Sequence, residues 1–361
     1  MFTVVRNILA VLLAFLCMPV LVILGVVALP FWLVSFMTQA MTSVAQRKSS
    51  AWNAIIQFDS SIGWKMKPHL DTYYLALGDD VCHVMTDSQG WVGTPSLSES
   101  NLVVFGDSYA FAYGVDVSEA YFNLNPQLRI KAICAPGYDM VQELLLMKKY
   151  SPELANKLVV WFVCLENDLH DNLKPNSQHP QHVYRTPFVR SLNGDMNWEI
   201  VTSHVSNQRW PYPTLKTLYA ETFAKLCTPS PFSQHTYSAC EYLLKEGRDV
   251  CGKVGAQLAI VAIPNKLQLS ERGVKSITSK LSNGYGFDPH YPDQQFSEMC
   301  HRLTIPFFSA KSYLQLNDYK QYDWHWAKQG HRQISRMLGD LYAAYASNTL
   351  LVNHIPEHPS K

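Results

Sequence analysis

The stretch NLVVFGDSYAFAYGV, Asn101 to Val115, decides how the rest of the chain is read. Leu102 to Phe105 form an apolar run too short for a helix, and it stops abruptly at Gly106-Asp107-Ser108. A short run without polar alternation predicts a strand buried on both faces, and such strands belong to parallel sheets covered by helices. Four further runs share this character: Ile130 to Cys134, Lys157 to Leu165, Gln257 to Pro264 and Ile305 to Ala310. Helical composition separates them, in MVQELLLMKKYSPELANK after the second and YSACEYLLKEGRDVCGKVGA before the fourth. The alternation predicts an α/β fold, a three-layer α/β/α sandwich with a mainly parallel sheet, over residues 101–345. Ligands are then expected beyond the carboxyl ends of the strands.

Working outward, residues 49–100 read as a β-rich lead-in with turn signals at LALGDD and TDSQGW. Residues 171–231 interrupt the alternation with prolines, histidines and aromatics, and read as an insertion, either a lid or platform or a packing excursion. Residues 346–361 are a tail. At the other end no charged residue occurs from Asn7 to Gln46, and Ile8 to Leu29 is an almost unbroken apolar run. About 20 apolar residues cross a bilayer, more than the core of a cleaved leader. Residues 1–48 are therefore expected to be an N-terminal transmembrane anchor, with membrane contact through residues 8–29. The piece PFWLVSFMTQAM would lie at the interface. Arg6 and the α-amine nearly balance Arg47 and Lys48, so flanking charge does not choose the orientation.

The 361 residues hold 30 Lys and Arg against 29 Asp and Glu, a net charge of +1. No basic field gathers phosphates, which excludes nucleic acid as a partner. Beyond Cys17 the cysteines are Cys82, Cys134, Cys164, Cys227, Cys240, Cys251 and Cys300. Seven cannot all pair within one chain, and no CxxC spacing suggests zinc, so no metal and no cofactor are expected.

Four features fall where such a fold places chemistry. Ser108 follows the first strand at a sharp turn, although a Gly-Asp-Ser tripeptide arises by chance in roughly one chain of this length in ten. Gly137, in CAPGYDM, follows the second strand, where a residue without Cβ lets a backbone N–H approach a developing oxyanion. Asn167, in CLENDLH, follows the third strand; its amide could donate to the same oxyanion or cap a helix, with Asp168 the competing cap. Asp323 and His325, in YDWHWAKQGH, precede a helical tail, and a carboxylate so placed can hold one ring nitrogen while the other faces a serine. His331, within the helix, reads as a packing or capping residue. A serine, two oxyanion donors and an Asp-His pair, in order, are the parts of nucleophilic acyl transfer.

On these residues the chain resembles the SGNH or GDSL hydrolases, named for a Ser, Gly, Asn and His in four blocks. The resemblance covers roughly Asn101 to Leu341, and TDSQGW resembles the lead-in of some members. It implies the flavodoxin-like fold of that family, Ser108 as nucleophile, and an oxyanion hole of the Ser108 and Gly137 N–H groups and Asn167. His325 would be the general base and Asp323 its orienting partner. The last block is most similar to the branch that modifies bacterial extracellular polysaccharides, which implies an acyl ester of a carbohydrate, O-acetyl foremost, as substrate. That branch also implies an inner-membrane protein with its domain on the periplasmic side. Two departures stand out: Leu165 occupies the glycine position of the third block, and Tyr322 stands where the commoner Asp-x-x-His spacing would put the acid. An O-acyltransferase and a glycan-binding protein with impaired catalysis are the competing functions.

Overall fold

The computed structural model describes residues 54–76, 80–174, 184–192, 196–203, 205–206, 217–278 and 286–350. The apolar run at residues 8–29 lies outside them, as does most of the tail. No helix among the described residues is long and apolar enough to cross a membrane.

Five strands make the central sheet: β1 (Leu102–Gly106), β2 (Ile130–Cys134), β3 (Leu158–Cys164), β4 (Gln257–Ile263) and β5 (Phe307–Ser309). Each falls within one of the five apolar runs or overlaps it by all but a terminal residue. Their spatial order is β5-β4-β3-β1-β2, and every pairing is parallel. Strands β1, β2 and β3 are buried at every position, the reason they carry no polar alternation.

Successive residues of β3 show the two covering layers. The Trp161 indole donates to Glu143 on helix α1 (Met140–Tyr150) and lies against Gly247 of α2 (Pro231–Lys253). Phe162 points the other way, to Tyr121 and Trp326. Trp326 leads into α4 (Lys328–Ala346), while α3 (Tyr291–Arg302) is tied to α2 by Arg302 and Glu241. The sheet therefore lies between helices, an α/β sandwich.

The lead-in packs into the same compact unit, which runs from Asn53 onward. Its two antiparallel hairpins pair Ile56–Asp59 with Gly63–Met66 and Asp71–Leu75 with Val81–Met85. Val92 adds a short antiparallel bridge to Ala132 on the edge strand β2. Within the insertion, Phe188–Ser191 pairs with Trp198–Val201. Trp198 packs on His235 and donates to Ser238, both on α2, so this described part of the insertion is seated on the helical layer.

The order β2-β1-β3 puts the reversal of winding between β1 and β3, where open α/β sheets form their crevice. Ser108 follows β1, Gly137 follows β2 and Asn167 follows β3. Topology alone thus brings three distant segments to one edge of the sheet.

Candidate active site

Gly106 closes β1 where a side chain has no room. A Cβ there would lie 2.8 Å from that of Ala110 and 3.0 Å from that of Phe162. The chain then turns sharply: the Asp107 and Ser108 carbonyls accept from the N–H groups of Phe111 and Tyr113, each at 3.0 Å. Asp107 is buried and Ser108 half-buried. Asp107 takes the Tyr109 N–H at 2.9 Å and sits 3.4 Å from both the Ser108 hydroxyl and the Asn167 amide. Burial raises its pKa against the pull of these donors and of His325.

His325 reaches this turn from the other end of the chain. Its Nε2 is 2.8 Å from Ser108 Oγ and its Nδ1 is 2.9 Å from Asp323 Oδ1. With the Nδ1 proton donated to the carboxylate, Nε2 accepts from the serine hydroxyl. Burial opposes the charge on Asp323, but the His325 ring, the Trp324 N–H at 2.7 Å and Lys320 outweigh it and hold the carboxyl down at about 2. Tyr322, at the alternative acid position, is 84% exposed. The ring of His325 is flanked by Tyr109 and Tyr113, with centroids 5.1 and 4.7 Å away.

The candidate oxyanion donors follow neighbouring strands at the same edge of the sheet. Gly137 has φ of 82°, a conformation that favours glycine. Neither its N–H nor that of Ser108 finds a hydrogen-bond acceptor among the described residues. The loop is fixed from behind by the lead-in: Trp64 donates to the Pro136 carbonyl at 3.3 Å, Tyr138 to the Trp64 carbonyl at 2.8 Å and Gln142 to the Ile62 carbonyl. Asn167 occupies the cap position of a short helical turn, Asp168–Asp171, but its side chain makes no capping bond. The buried Asp168 instead accepts the Cys164 N–H at 2.7 Å, and the Asn167 amide donates to Asp107 beside Ser108. Leu165 is fully buried and gives its N–H to the Ile263 carbonyl. It therefore occupies core.

Sequence reading missed the lysines that hold the acid-base loop. Lys266, three residues beyond β4, directs its ammonium at the carbonyls of Lys320, Gln321 and Asp323, the last two at 3.3 Å. Lys320 in turn bonds the Gly114 carbonyl and pairs with Asp80 at 2.6 Å, while its N–H donates to the His325 carbonyl at 2.9 Å. Only the position of Lys266 after a strand end could have signalled its role. Lys266→Met should lower kcat for an ester roughly 10- to 100-fold with little change in KM, because small displacements of acid-base groups are costly. Steady-state kinetics on the folded variant would check it.

His331 lies outside the catalytic geometry. It is buried, stacked on Tyr121, and neither ring nitrogen has a partner among the described residues. Burial, with Lys320 and the His325 ring nearby, lowers its pKa from 6.5 to about 3. The unfolded chain therefore takes up this proton at a higher pH than the folded one, and stability falls as pH drops from 6.5 toward 3. The loss is on the order of 1 kcal/mol per pH unit at the steepest. His331→Phe should flatten that part of a urea-denaturation pH series.

Among the described residues no group of three His, Cys, Asp or Glu side chains is placed to hold a metal ion, and the seven cysteines are free and buried.

No family model matches the chain, and no curated protein matches it. Solved structures that it resembles include a GDSL-like lipase from Bacteroides thetaiotaomicron, at 9% identity over 70% of this chain and 93% of that one, with a TM-score of 0.37. A psychrotrophic esterase from a Pseudoalteromonas species is 14% identical over 69% of this chain and all of that one, with a TM-score of 0.34. An acetyl-xylooligosaccharide esterase from Geobacillus is 11% identical over 66% of this chain and 92% of that one, also at 0.34.

Proposed function

We propose that the protein is a serine esterase that cleaves acyl esters, O-acetyl esters of a carbohydrate foremost, through an acyl-serine intermediate. The observation that carries this reading is the unbroken chain from Ser108 Oγ through the His325 ring to Asp323 Oδ1, at 2.8 and 2.9 Å. Ser108 Oγ attacks the ester carbonyl carbon as His325 Nε2 takes its proton, and Asp323 stabilises the imidazolium that results. The carbonyl oxygen becomes the oxyanion, with the Ser108 and Gly137 N–H groups and the Asn167 amide as its donors. Collapse expels the alcohol, which takes the proton from His325. Water then gives a proton to His325 as it attacks the acyl-serine carbonyl, and collapse releases the acid while His325 returns that proton to Ser108 Oγ.

Hydrolysis and transfer share the acyl-enzyme and differ in the acceptor. A sugar hydroxyl in place of water makes the same site an O-acyltransferase, and an added glycan that diverts acyl groups from a chromogenic ester would reveal it. The reading as a glycan-binding protein without catalysis drew on Leu165, whose side chain lies in the core. The apolar run at residues 8–29 supports a membrane tether, and the resemblance to the polysaccharide-modifying branch favours the extracytoplasmic side for the domain; a reporter fused after Lys361 tests the orientation.

A fluorophosphonate probe tests the chemistry, since it phosphonylates only an activated serine. The expected result is stoichiometric labelling that peptide mapping places on Ser108. A purified, folded protein that takes up no label would end the esterase reading.

A further inference from the structure

The hairpin of Asp71–Leu75 and Val81–Met85 has two faces of opposite fate. Tyr74, Cys82 and Val84 point inward and are buried. On the outward face Asp71 stands opposite Met85, Tyr73 opposite His83 and Leu75 opposite Val81. Tyr73 is 66% exposed, Val81 64% and Met85 46%. A hairpin face given to water normally carries polar side chains, yet here only the hydrogen-bonded Asp71 and His83 interrupt an apolar and aromatic surface.

The exposure does not come from a loose element. The Tyr74 hydroxyl takes the Gly114 N–H at 2.8 Å, the His83 N–H donates to Asp116 at 2.8 Å, and Asp80 pairs with Lys320. A well-anchored strand pair that keeps apolar side chains in water calls for something to cover them. The sequence points to lipid. The uncharged segment from Asn7 to Gln46 lies shortly before this hairpin in the chain, and a tether of that kind keeps the domain at high local concentration beside the bilayer. Tyrosine suits the interface, where the ring enters the acyl boundary and the hydroxyl stays among headgroups.

We propose that the outward face of this hairpin, carried by Tyr73, Val81 and Met85, seats in the interfacial zone of the bilayer that holds the N-terminal run. The proposal rests on the tether reading and is independent of the esterase reading. Because the same hairpin grips Gly114 and Lys320, seating it would fix the distance of the nucleophile and acid-base loops from the lipid surface.

The test uses the full chain in phosphatidylcholine and phosphatidylglycerol nanodiscs, with Cys17→Ser and a bimane label introduced through Tyr73→Cys. The native cysteines of the described domain are buried and do not compete for label. Met85→Cys provides a second position on the face, and Met196→Cys, at a residue 66% exposed on another hairpin, is the comparison. The expected result is strong quenching at positions 73 and 85 by lipid-borne nitroxide, and iodide quenching roughly fivefold weaker than at position 196. Iodide quenching equal to that at 196 overturns the proposal. So does shielding from both quenchers with cross-linking between labelled copies, which would put a second chain on the face. Flotation of the unsubstituted chain with vesicles reports the tether separately: failure to float removes the tether and the proposal together, whereas flotation with a water-exposed label removes the proposal alone.

Discussion

Ser108→Ala should abolish fluorophosphonate labelling and lower turnover of a short-chain chromogenic ester by roughly 10⁴-fold or more. The size of the loss follows from the geometry. Among the described residues Ser108 is the one hydroxyl in contact with His325 Nε2, so no described neighbour inherits its role. Its hydroxyl is half-buried and makes no contact that the core needs, so the variant should melt within a few degrees of the parent. The comparison also separates the two classes of function, because a binding protein would keep its glycan affinity and show no ester turnover to lose. Retention of full esterase activity by the folded variant would remove the mechanism.

Asp323→Asn should be nearly as damaging, at about 10³- to 10⁴-fold in kcat. The carboxylate accepts the Nδ1 proton of His325 and so leaves Nε2 free to accept from the serine. An asparagine amide turned to donate reverses the tautomer, and Nε2 then carries a proton and cannot take another. Asp323 is held ionised down to about 2, so its own titration should not appear in the rate profile above that pH. The sign of its stability effect is equally defined. A carboxyl depressed from 3.8 to about 2 stabilises the fold fully above 3.8, and the contribution is lost as pH falls through about 2. Denaturant midpoints of parent and variant should therefore differ most near neutrality and converge at the acid end.

The parts of this protein that were legible in sequence are those with a local cause. The strands could be read because a fully buried parallel strand is apolar at nearly every position; β2 matches its run residue for residue, and its one charged member, Lys131, is buried against Asp87. The site residues could be read because each follows such a strand or precedes a helix with its own signal. The role of the Asn167 side chain was not settled by sequence, since capping and oxyanion roles use the same amide. In the structure that amide makes no capping bond and donates to Asp107. Asp107 was visible but had no assigned role, because its link to Asn167 depends on β1 and β3 being neighbours. Lys266 was illegible for the same reason: its carbonyl partners lie more than fifty residues away, joined by no pattern. The anchor remains a matter of sequence alone.

The grip of Lys266 on the acid-base loop falls on main-chain oxygens and not on side chains. Every residue type presents the same carbonyl, so the clamp is indifferent to what stands at Gln321 and Tyr322, both of which face solvent. The loop can therefore exchange those two side chains without altering the register of Asp323 and His325. A library randomised at these two positions should yield many active members. In lineage terms, these two positions are free to drift while the register of Asp323 and His325 is inherited unchanged.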